Sequence, residues 1–468
     1  MFRTIAALAS VLALAGAAHA QTPPSPPAQP WIMPTDAEIR QILVDRIDVQ
    51  HQGVGIVVGV VDAHGRRIVS YGALAKGDAR PLDGRTIFEI GSMSKVFTSL
   101  LLADMTQRGE VKLDDPIAKF LPPGVKVPER GGRQITLIDL ATHTSGLPRI
   151  PTNMAPKDPA NPYADYTVQQ LYDFLASYTL PRDIGSQYEY SNLGGGLLGH
   201  VLSLRGGADY GTLVRQRITD PLGMRSTGIA LTAEEKARMA VGHDAALNPT
   251  SNWDIPTLAG AGALRSDADD ILTFLAAELG YGKNPIAAAM KAQLAPRRPT
   301  TVPNLEIALG WHIFTIQGRQ IVWHDGGTGG YRSMMAFDPK AGVGVVALSN
   351  VSTVAGVDDI PLHILAGVPL AAAAPQHHEV AVDLAVLQGL VGRYELAPKV
   401  EVEITLKDGT LYAQVTGQPA YPVFSEGPHR IFWKIVDAQA DFEVDVHGRA
   451  TTLVLHQGGR DARAPRVP

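Results

Sequence analysis

The chain carries strand-rich segments near its beginning and again well past its middle, and the sequence between them is mostly helical. The first segment, "GIVVGVVDAHGRRIVSYG" at residues 55–72, has two β-rich runs around an Asp-Ala-His-Gly turn, which predicts a hairpin with both strands largely buried. Strands resume at Ile307 with "IALGWHIFTIQGRQIVWHDGG", "YRSMMAFDP" and "GVGVVALSNV". A compact domain with this order of elements requires its two ends to meet in one sheet.

Helix signals surround and interrupt these strands. Thr35 or Asp36 is placed to cap a first helix, and the segments "VQQLYDFLASY" and "DADDILTFLAAELG" have the spacing of amphipathic helices. A last helix is predicted at about residues 355–366. We therefore expect an α+β sandwich over residues 31–367, in which an antiparallel sheet is flanked by helices and interrupted by a large helical insertion.

The last quarter of the chain differs from the rest in its composition and in its pattern of apolar and polar residues. Residues 368–378, "VPLAAAAPQHH", have the composition of a linker, and the segment from 379 to 468 alternates apolar and polar residues in short runs. Asp408-Gly409 in "ITLKDGTLYAQV" is a typical hairpin turn. This pattern predicts a small all-β domain that closes as a barrel or packs as a sandwich.

The beginning of the chain predicts export. Residues 1–20 combine Arg3, an apolar run and a small-x-small site, which is typical of a signal peptide cleaved after Ala20, and the proline-rich residues 21–30 form a tether. We expect a secreted or periplasmic protein with no membrane span after cleavage. The net charge of −5 gives no reason to expect nucleic acid as a partner, and zero cysteines exclude disulfides and thiol catalysis.

One short motif carries the clearest chemical signal. In "GSMSKVFTSLLLADMTQRG", Ser92 and Lys95 are three residues apart, so both side chains lie on the same face of a predicted helix that is otherwise apolar. An ammonium group beside an apolar face is costly to desolvate unless it has partners. Taken alone, the pair is also explained by Ser92 as a helix cap and Lys95 as a solvated residue of the first turn.

Two further motifs follow in a set order. "YSN" lies at 190–192, "HDGG" lies at 324–327 after a predicted strand, and "LATHTSGL" lies at 140–147 between the first two motifs. With "SMSK", this series resembles the serine β-lactamases of class C and the related D,D-peptidases and esterases, over about residues 31–367. The resemblance implies a serine hydrolase that forms an acyl-enzyme.

The family resemblance assigns roles to particular residues. Ser92 is the expected nucleophile, and Lys95 and Tyr190 are expected to activate it. A serine hydroxyl needs an adjacent base, and either Lys95 or a Tyr190 phenolate of lowered pKa would serve. Asn192 is expected to bond Lys95 and the substrate amide, and the backbone N–H groups of Ser92 and Gly327 are expected to bind the oxyanion.

The third motif departs from the Lys-Thr-Gly found in many β-lactamases. His324, Asp325 and Gly326 occupy those places, and an aspartate that faced the site would repel a substrate carboxylate. Arg332 is a candidate for the missing positive charge, although an exposed strand arginine is an alternative. Gly326 and Gly327 would let substrate lie against the strand, whereas a simple flexible turn is the other interpretation.

The expected substrates are small molecules or peptides: β-lactams and D-amino-acid peptides first, then simple esters. His324 favours the peptidase branch. A protein that acylates without turnover, and so acts as a penicillin-binding or cell-wall-fragment binding protein, is an alternative from another class. No metal and no cofactor are expected. The C-terminal domain resembles the lipocalin-like appendage of some relatives, for which a structural or gating role is expected.

Overall fold

The computed structural model describes residues 31–353, 356–371, 377, 379–397, 400–416, 420–433, 438–457 and 460–467. These residues fall into two compact units, one comprising the described residues up to 371 and the other the described residues from 377. The predicted signal peptide and proline-rich tether lie outside the described residues. Among the helices that the structure describes, none has both the length and the apolar character needed to cross a bilayer.

The first unit combines a sheet with many helices. Its helices are α1 (Asp36–Val44), α2 (Ser94–Gln107), α3 (Leu137–Ala141), α4 (Val168–Ser177), α5 (Asn192–Gly206), α6 (Tyr210–Val214), α7 (Asp220–Leu222), α8 (Ala233–Ala237), α9 (Ala268–Glu278), α10 (Ala287–Gln293) and α11 (Ile360–Ala366). Its strands are β1 (Gly55–Asp62), β2 (Gly65–Gly72), β3 (Phe88–Glu89), β4 (Glu129–Arg130), β5 (Arg133–Gln134), β6 (Arg265–Ser266), β7 (Arg298–Pro299), β8 (Leu305–Ile307), β9 (His312–Ile316), β10 (Arg319–Gly327), β11 (Arg332–Asp338) and β12 (Val343–Ser349).

The main sheet is antiparallel and has the strand order β2-β1-β12-β11-β10-β9-β8-β7. The pairing of β1 with β12 joins the two ends of the unit, with Ile56 opposite Ser349, so the predicted meeting of the two ends in one sheet is confirmed. The first hairpin has the predicted turn, but β2 is largely accessible, which corrects the expectation that both of its strands are buried. β2 is the edge strand, and its consecutive arginines reach helices on opposite faces of the sheet: Arg66 bonds Thr273 of α9, and Arg67 pairs with Asp36 of α1.

Two apolar layers hold the sheet between helices. Side chains alternate along β1, so Val57 and Val61 join the larger core under the helical insertion, whereas Ile56, Val58 and Val60 face the layer formed with α1 and α11. The capping box made by Thr35 and Glu38 starts α1 as the sequence predicts. Helix α2 lies inside the larger core, which fixes the position of its first turn.

The second unit is a closed antiparallel barrel. Its elements are α12 (Leu384–Leu390), β13 (Gly392–Ala397), β14 (Val400–Lys407), β15 (Thr410–Val415), β16 (Tyr421–Gly427), β17 (Arg430–Phe432), β18 (Ala438–Val444), β19 (Ala450–Gln457) and β20 (Arg460–Val467). β13 pairs with β20, which closes the barrel, and Asp408-Gly409 forms the predicted turn with positive φ at both residues. Inward side chains such as Tyr394, Ile404 and Leu453 fill the interior.

Candidate active site

The first motif lies where α2 begins, against the end of strand β10. A 3₁₀ turn at Gly91–Met93 precedes α2, so Ser92 lies in this turn and is not the helix cap. Gly91 has φ +47°, and a Cβ there would lie 2.6 Å from the amide nitrogen of Gly327. A Cβ at Gly326 would likewise lie 2.0 Å from the carbonyl oxygen of Ile90. Only glycine permits this approach, which brings the backbone of Gly327 beside Ser92.

Lys95 is buried and makes three polar contacts. Its side chain is 2% exposed, and Nζ lies 2.9 Å from Ser92 Oγ, 2.9 Å from Asn192 Oδ1 and 2.7 Å from the carbonyl oxygen of Ala261. Burial holds the pKa of Lys95 well below its ordinary value, the charge of Arg149 lowers it further, and Asp325 opposes the shift. The geometry therefore favours a neutral amine in contact with the Ser92 hydroxyl.

Space for the Lys95 stem comes from glycines in α5. A Cβ at Gly195 would lie 3.0 Å from Lys95 Cε and 3.2 Å from Lys95 Cγ. Gly195 in turn packs closely on Gly260, since a Cβ at Gly260 would lie 2.8 Å from the carbonyl oxygen of Gly195. Sequence reasoning missed this packing. Gly194, Gly195 and Gly196 are consecutive inside α5, and glycines in a helix lower its stability. Their presence in a predicted helix was therefore the sequence signal for close packing at this point.

Tyr190 lies beside Lys95 but does not bond it through the hydroxyl. Lys95 Nζ is 4.8 Å from the centroid of the Tyr190 ring, and the His143 ring centroid is 4.6 Å from the same centroid. Burial raises the pKa of Tyr190 and Asp325 adds to the shift, whereas a hydrogen-bonding interaction with Ser92 and the charge of Arg149 oppose it. This direction is opposite to the lowered pKa expected for a Tyr190 phenolate, because desolvation outweighs the charge of Arg149.

Asn192 is the first residue of α5, and its position is fixed from both sides. Ser191 caps the helix by accepting a hydrogen bond from the Gly194 N–H at 2.8 Å. The Asn192 side chain accepts from Lys95 through Oδ1 and donates from Nδ2 to the Tyr163 hydroxyl at 3.3 Å. The predicted contact of Asn192 with Lys95 is thus present.

His324 lies on β10 with its ring fully buried. Its Nδ1 is 2.6 Å from the carbonyl oxygen of Asp325, and its ring centroid is 6.3 Å from that of Tyr190. Nε2 has no hydrogen-bond partner among the residues that the structure describes. Burial and the neighbouring His312 lower the pKa of His324, so this ring is a neutral imidazole and supplies no positive charge.

Asp325 and Arg332 pair with each other at the end of β10. Arg332 Nη2 donates to Asp325 Oδ2 at 2.8 Å, and the same guanidinium forms a bidentate pair with Asp358. Burial disfavours the charged form of Asp325, but the Arg332 charge overcomes this and lowers the Asp325 pKa. Two carboxylates thus engage Arg332, which argues against the expected role of Arg332 as a substrate ligand and removes much of the repulsion expected from Asp325.

Arg149 is a further residue of the site that sequence reasoning missed. It follows "HTSGLP" and is exposed, and its guanidinium carbon is 5.1 Å from the centroid of the Tyr190 ring. Its carbonyl oxygen accepts hydrogen bonds from the N–H groups of Asn192 at 2.9 Å and Leu193 at 3.1 Å. The available signal was its position directly after the loop motif, but an arginine in a loop has many ordinary explanations.

Comparison with known proteins places this arrangement in a family. Residues 39–367 match the family described as Beta-lactamase, which covers most of the chain. The chain belongs to the beta-lactamase family. Its relatives include serine beta-lactamases and D-alanyl-D-alanine carboxypeptidases, and the chain is accordingly a serine hydrolase.

Two curated relatives illustrate the range. The D-alanyl-D-alanine-carboxypeptidase/endopeptidase AmpH of Escherichia coli is 32% identical over 364 residues, covering 72% of this chain and 92% of the relative. Penicillin-binding protein 4* of Bacillus subtilis is 25% identical over 457 residues, covering 91% of this chain and 98% of the relative. The second match therefore extends through both units of this chain.

Solved structures agree with the fold of the first unit. A class C beta-lactamase from Rhodobacter sphaeroides is 27% identical with a TM-score of 0.59, covering 68% of this chain and 94% of that chain. A beta-lactamase/D-alanine carboxypeptidase from Yersinia pestis, complexed with citrate, is 26% identical with a TM-score of 0.59, covering 68% and 93%. The sandwich of sheet and helices expected from the sequence is thereby confirmed as the beta-lactamase type of fold.

The C-terminal barrel has a different match. Residues 376–464 match a domain of unknown function, DUF3471. The lipocalin-like resemblance expected from the sequence is not confirmed by this match. The structure does show a closed eight-stranded barrel, which is one of the two arrangements expected for this domain.

Proposed function

We propose that this serine hydrolase forms an acyl-enzyme at Ser92 and cleaves amide bonds of D-amino-acid peptides and β-lactams. The observation that carries the proposal is the contact of Ser92 Oγ with a buried Lys95 amine, 2.9 Å away, beside the close approach of Gly91 to Gly327. A serine with an adjacent base and nearby backbone donors is the arrangement that acyl transfer needs.

In the proposed acylation step, Ser92 Oγ attacks the substrate carbonyl carbon and its proton passes to Lys95 Nζ. The lowered pKa of Lys95 and the raised pKa of Tyr190 support the amine, and not the phenolate, as the acceptor. The tetrahedral oxyanion accepts hydrogen bonds from the backbone N–H groups of Ser92 and Gly327. Asn192 holds Lys95 and orients the substrate amide.

In the second half of the proposed step, the carbon–nitrogen bond breaks and the leaving amine takes a proton from the Tyr190 hydroxyl. The Tyr190 phenolate then regains a proton from solvent water, and the Lys95 ammonium gives its proton to solvent water, so Lys95 returns to the neutral amine. Water then attacks the acyl-enzyme with Lys95 again as base, which releases the acid and restores Ser92. A neutral phenol suits this role because it has a proton to give to a poor leaving group.

We propose D-amino-acid peptides as the preferred substrates. The Escherichia coli relative is named as a D-alanyl-D-alanine-carboxypeptidase/endopeptidase, and several solved neighbours are named as beta-lactamases. His324 in place of lysine in the third motif supports the peptidase branch. Simple esters are the second candidate because the same nucleophile would accept them, and an activated aryl ester needs no proton on its leaving group.

We also propose that the enzyme works outside the cytoplasm, after cleavage of residues 1–20. The support is the sequence pattern of a charged start, an apolar run and a small-x-small site. Edman sequencing or intact mass of the exported protein tests this directly: we expect the mature chain to begin at Gln21.

The substrate test compares a chromogenic β-lactam, an acylated peptide ending in D-alanyl-D-alanine and p-nitrophenyl acetate, with intact mass followed over time. We expect turnover of the D-alanyl peptide and a transient mass increase with the β-lactam. Ser92→Ala abolishes both. A stable adduct on every substrate without turnover would replace the peptidase with a binding protein, and turnover of the ester alone would replace it with an esterase.

A further inference from the structure

The position of Arg149 ties it to the residues that handle the leaving group. Its guanidinium carbon lies 5.1 Å from the Tyr190 ring centroid, and its carbonyl oxygen accepts the N–H of Asn192 at 2.9 Å. The side chain therefore extends over the ring whose hydroxyl is proposed to protonate the leaving amine. Hydrogen bonds from the N–H groups of Asn192 and Leu193 to the Arg149 carbonyl oxygen hold the backbone from which this side chain extends.

Of the basic residues described at this site, Arg149 is the one whose charge remains available to an anionic substrate. Arg332 pairs with Asp325 and Asp358, and His324 is a buried neutral ring. Lys95 directs Nζ to Ser92, Asn192 and a carbonyl oxygen. Arg149, by contrast, is exposed, and no ion pair or side-chain hydrogen bond engages its guanidinium within the described part of the chain.

The chemistry of a peptide C-terminus matches this placement. When the leaving group is a C-terminal amino acid, its carboxylate carbon is two bonds from the amine nitrogen, about 2.5 Å away from standard bond lengths. A nitrogen at the Tyr190 hydroxyl therefore brings the carboxylate within reach of a guanidinium that lies over the same ring. Guanidinium and carboxylate form paired, charge-assisted hydrogen bonds.

We infer that Arg149 binds the free α-carboxylate of the leaving amino acid and so makes the enzyme selective for the C-terminal peptide bond. This inference rests on the proposed function, because it names the part of the substrate that the same site recognises. Arg149 then contacts the substrate and determines which peptide bond is cleaved. Arg332, which bonds Asp325 and Asp358, holds the end of β10 in place.

A purely electrostatic role for Arg149 makes a different prediction. The Arg149 charge is the second cause, after burial, of the lowered Lys95 pKa. Loss of that effect would slow reactions of every substrate equally at a given pH. A carboxylate contact, in contrast, is lost only by substrates that carry the carboxylate, so a matched substrate pair separates the two roles.

The experiment measures kcat/KM for an acylated peptide ending in D-alanyl-D-alanine and for the same peptide as its C-terminal amide. Wild type, Arg149→Gln, Arg149→Lys and a control, Arg225→Gln, are compared across pH. Arg225 is exposed, and its backbone N–H, not its guanidinium, bonds Asp270. Reaction of each variant with p-nitrophenyl acetate verifies that the Ser92 site is assembled.

We expect wild type to prefer the free acid and Arg149→Gln to reduce the acid-to-amide ratio of kcat/KM at least about tenfold. Arg149→Lys retains part of the preference, and Arg225→Gln retains all of it. An unchanged ratio in Arg149→Gln overturns the inference while the proposed peptidase function stands. If neither peptide is cleaved while the ester is hydrolysed at Ser92, both the peptidase function and the inference fail.

Discussion

Replacing Gly91 with alanine tests the close approach on which the site depends. The residue has φ +47°, a conformation that costs a non-glycine residue about 1–2 kcal/mol. The added Cβ would lie 2.6 Å from the nitrogen and 2.8 Å from the oxygen of Gly327, and relieving such a contact costs about 1–3 kcal/mol more. We therefore expect Gly91→Ala to lose about 2–5 kcal/mol of stability.

Gly109→Ala is the matched control. Gly109 has φ +70°, but a Cβ there meets nothing within 4 Å, so this variant carries the backbone strain without the contact. Both variants also reduce the freedom of the unfolded chain by the same amount, which cancels in the comparison. The difference between them isolates the apposition of Gly91 and Gly327.

The assay pairs urea unfolding with steady-state kinetics on the D-alanyl peptide. We expect Gly91→Ala to unfold at lower urea than Gly109→Ala and to lose about 10²–10³ in kcat, the usual effect of losing one oxyanion donor. Gly109→Ala should keep near wild-type kcat. Equal unfolding midpoints and equal kcat in the two variants would refute the proposed pairing of Ser92 and Gly327 around the oxyanion.

Three further predictions follow from the charges around the site. The rate of acylation should rise with pH, with a midpoint well below the ordinary lysine pKa, because Lys95 must be neutral to accept the Ser92 proton. Arg149→Gln should move that midpoint to higher pH, since it removes a cation that lowers the Lys95 pKa. Tyr190→Phe should slow amide cleavage by about 10²–10⁴ but cleavage of p-nitrophenyl acetate far less, because the leaving amine needs a proton and p-nitrophenolate does not, which parallel assays would measure. Arg332→Gln should lower the thermal midpoint by leaving Asp325 and Asp358 uncompensated, and Arg332→Lys should recover part of the loss.

Much of the first unit was predictable because its signals are local. The Thr35 cap, the turn after Asp62 and the alternation along the later strands each come from a few neighbouring residues. The accessibility of β2 was not predicted, because a strand lies at the edge of a sheet when no other strand pairs with its second side. The residues of β2 itself do not determine whether such a partner exists. The charged pair Arg66 and Arg67 is the sequence feature that fits the edge position.

For the C-terminal domain the sequence predicted a barrel or a sandwich, and the structure has the barrel. Alternating residues specify antiparallel neighbours, but closure depends on the pairing of the first strand with the last, as in Arg393 with Val467. No local pattern distinguishes that pairing from two packed sheets.

In the site, the sequence placed Ser92 beside Lys95 because residues three apart lie on the same side of a helical turn, and this holds for the 3₁₀ turn at Gly91–Met93 as well. The sequence did not predict the hydrogen bond from Lys95 Nζ to the Ala261 carbonyl oxygen, because every residue type has a backbone carbonyl. Nor did it reveal the pKa direction of Tyr190, which depends on burial more than on the neighbouring cation. Such effects arise only once distant segments pack together.

The most direct test of the account is the location of the covalent adduct. The enzyme is quenched during turnover of the D-alanyl peptide or the β-lactam, digested, and mapped by tandem mass spectrometry. The account predicts an acyl group on Ser92 that disappears as turnover finishes and is absent in Ser92→Ala. An acyl group on any other side chain, or continued turnover by Ser92→Ala, would contradict it.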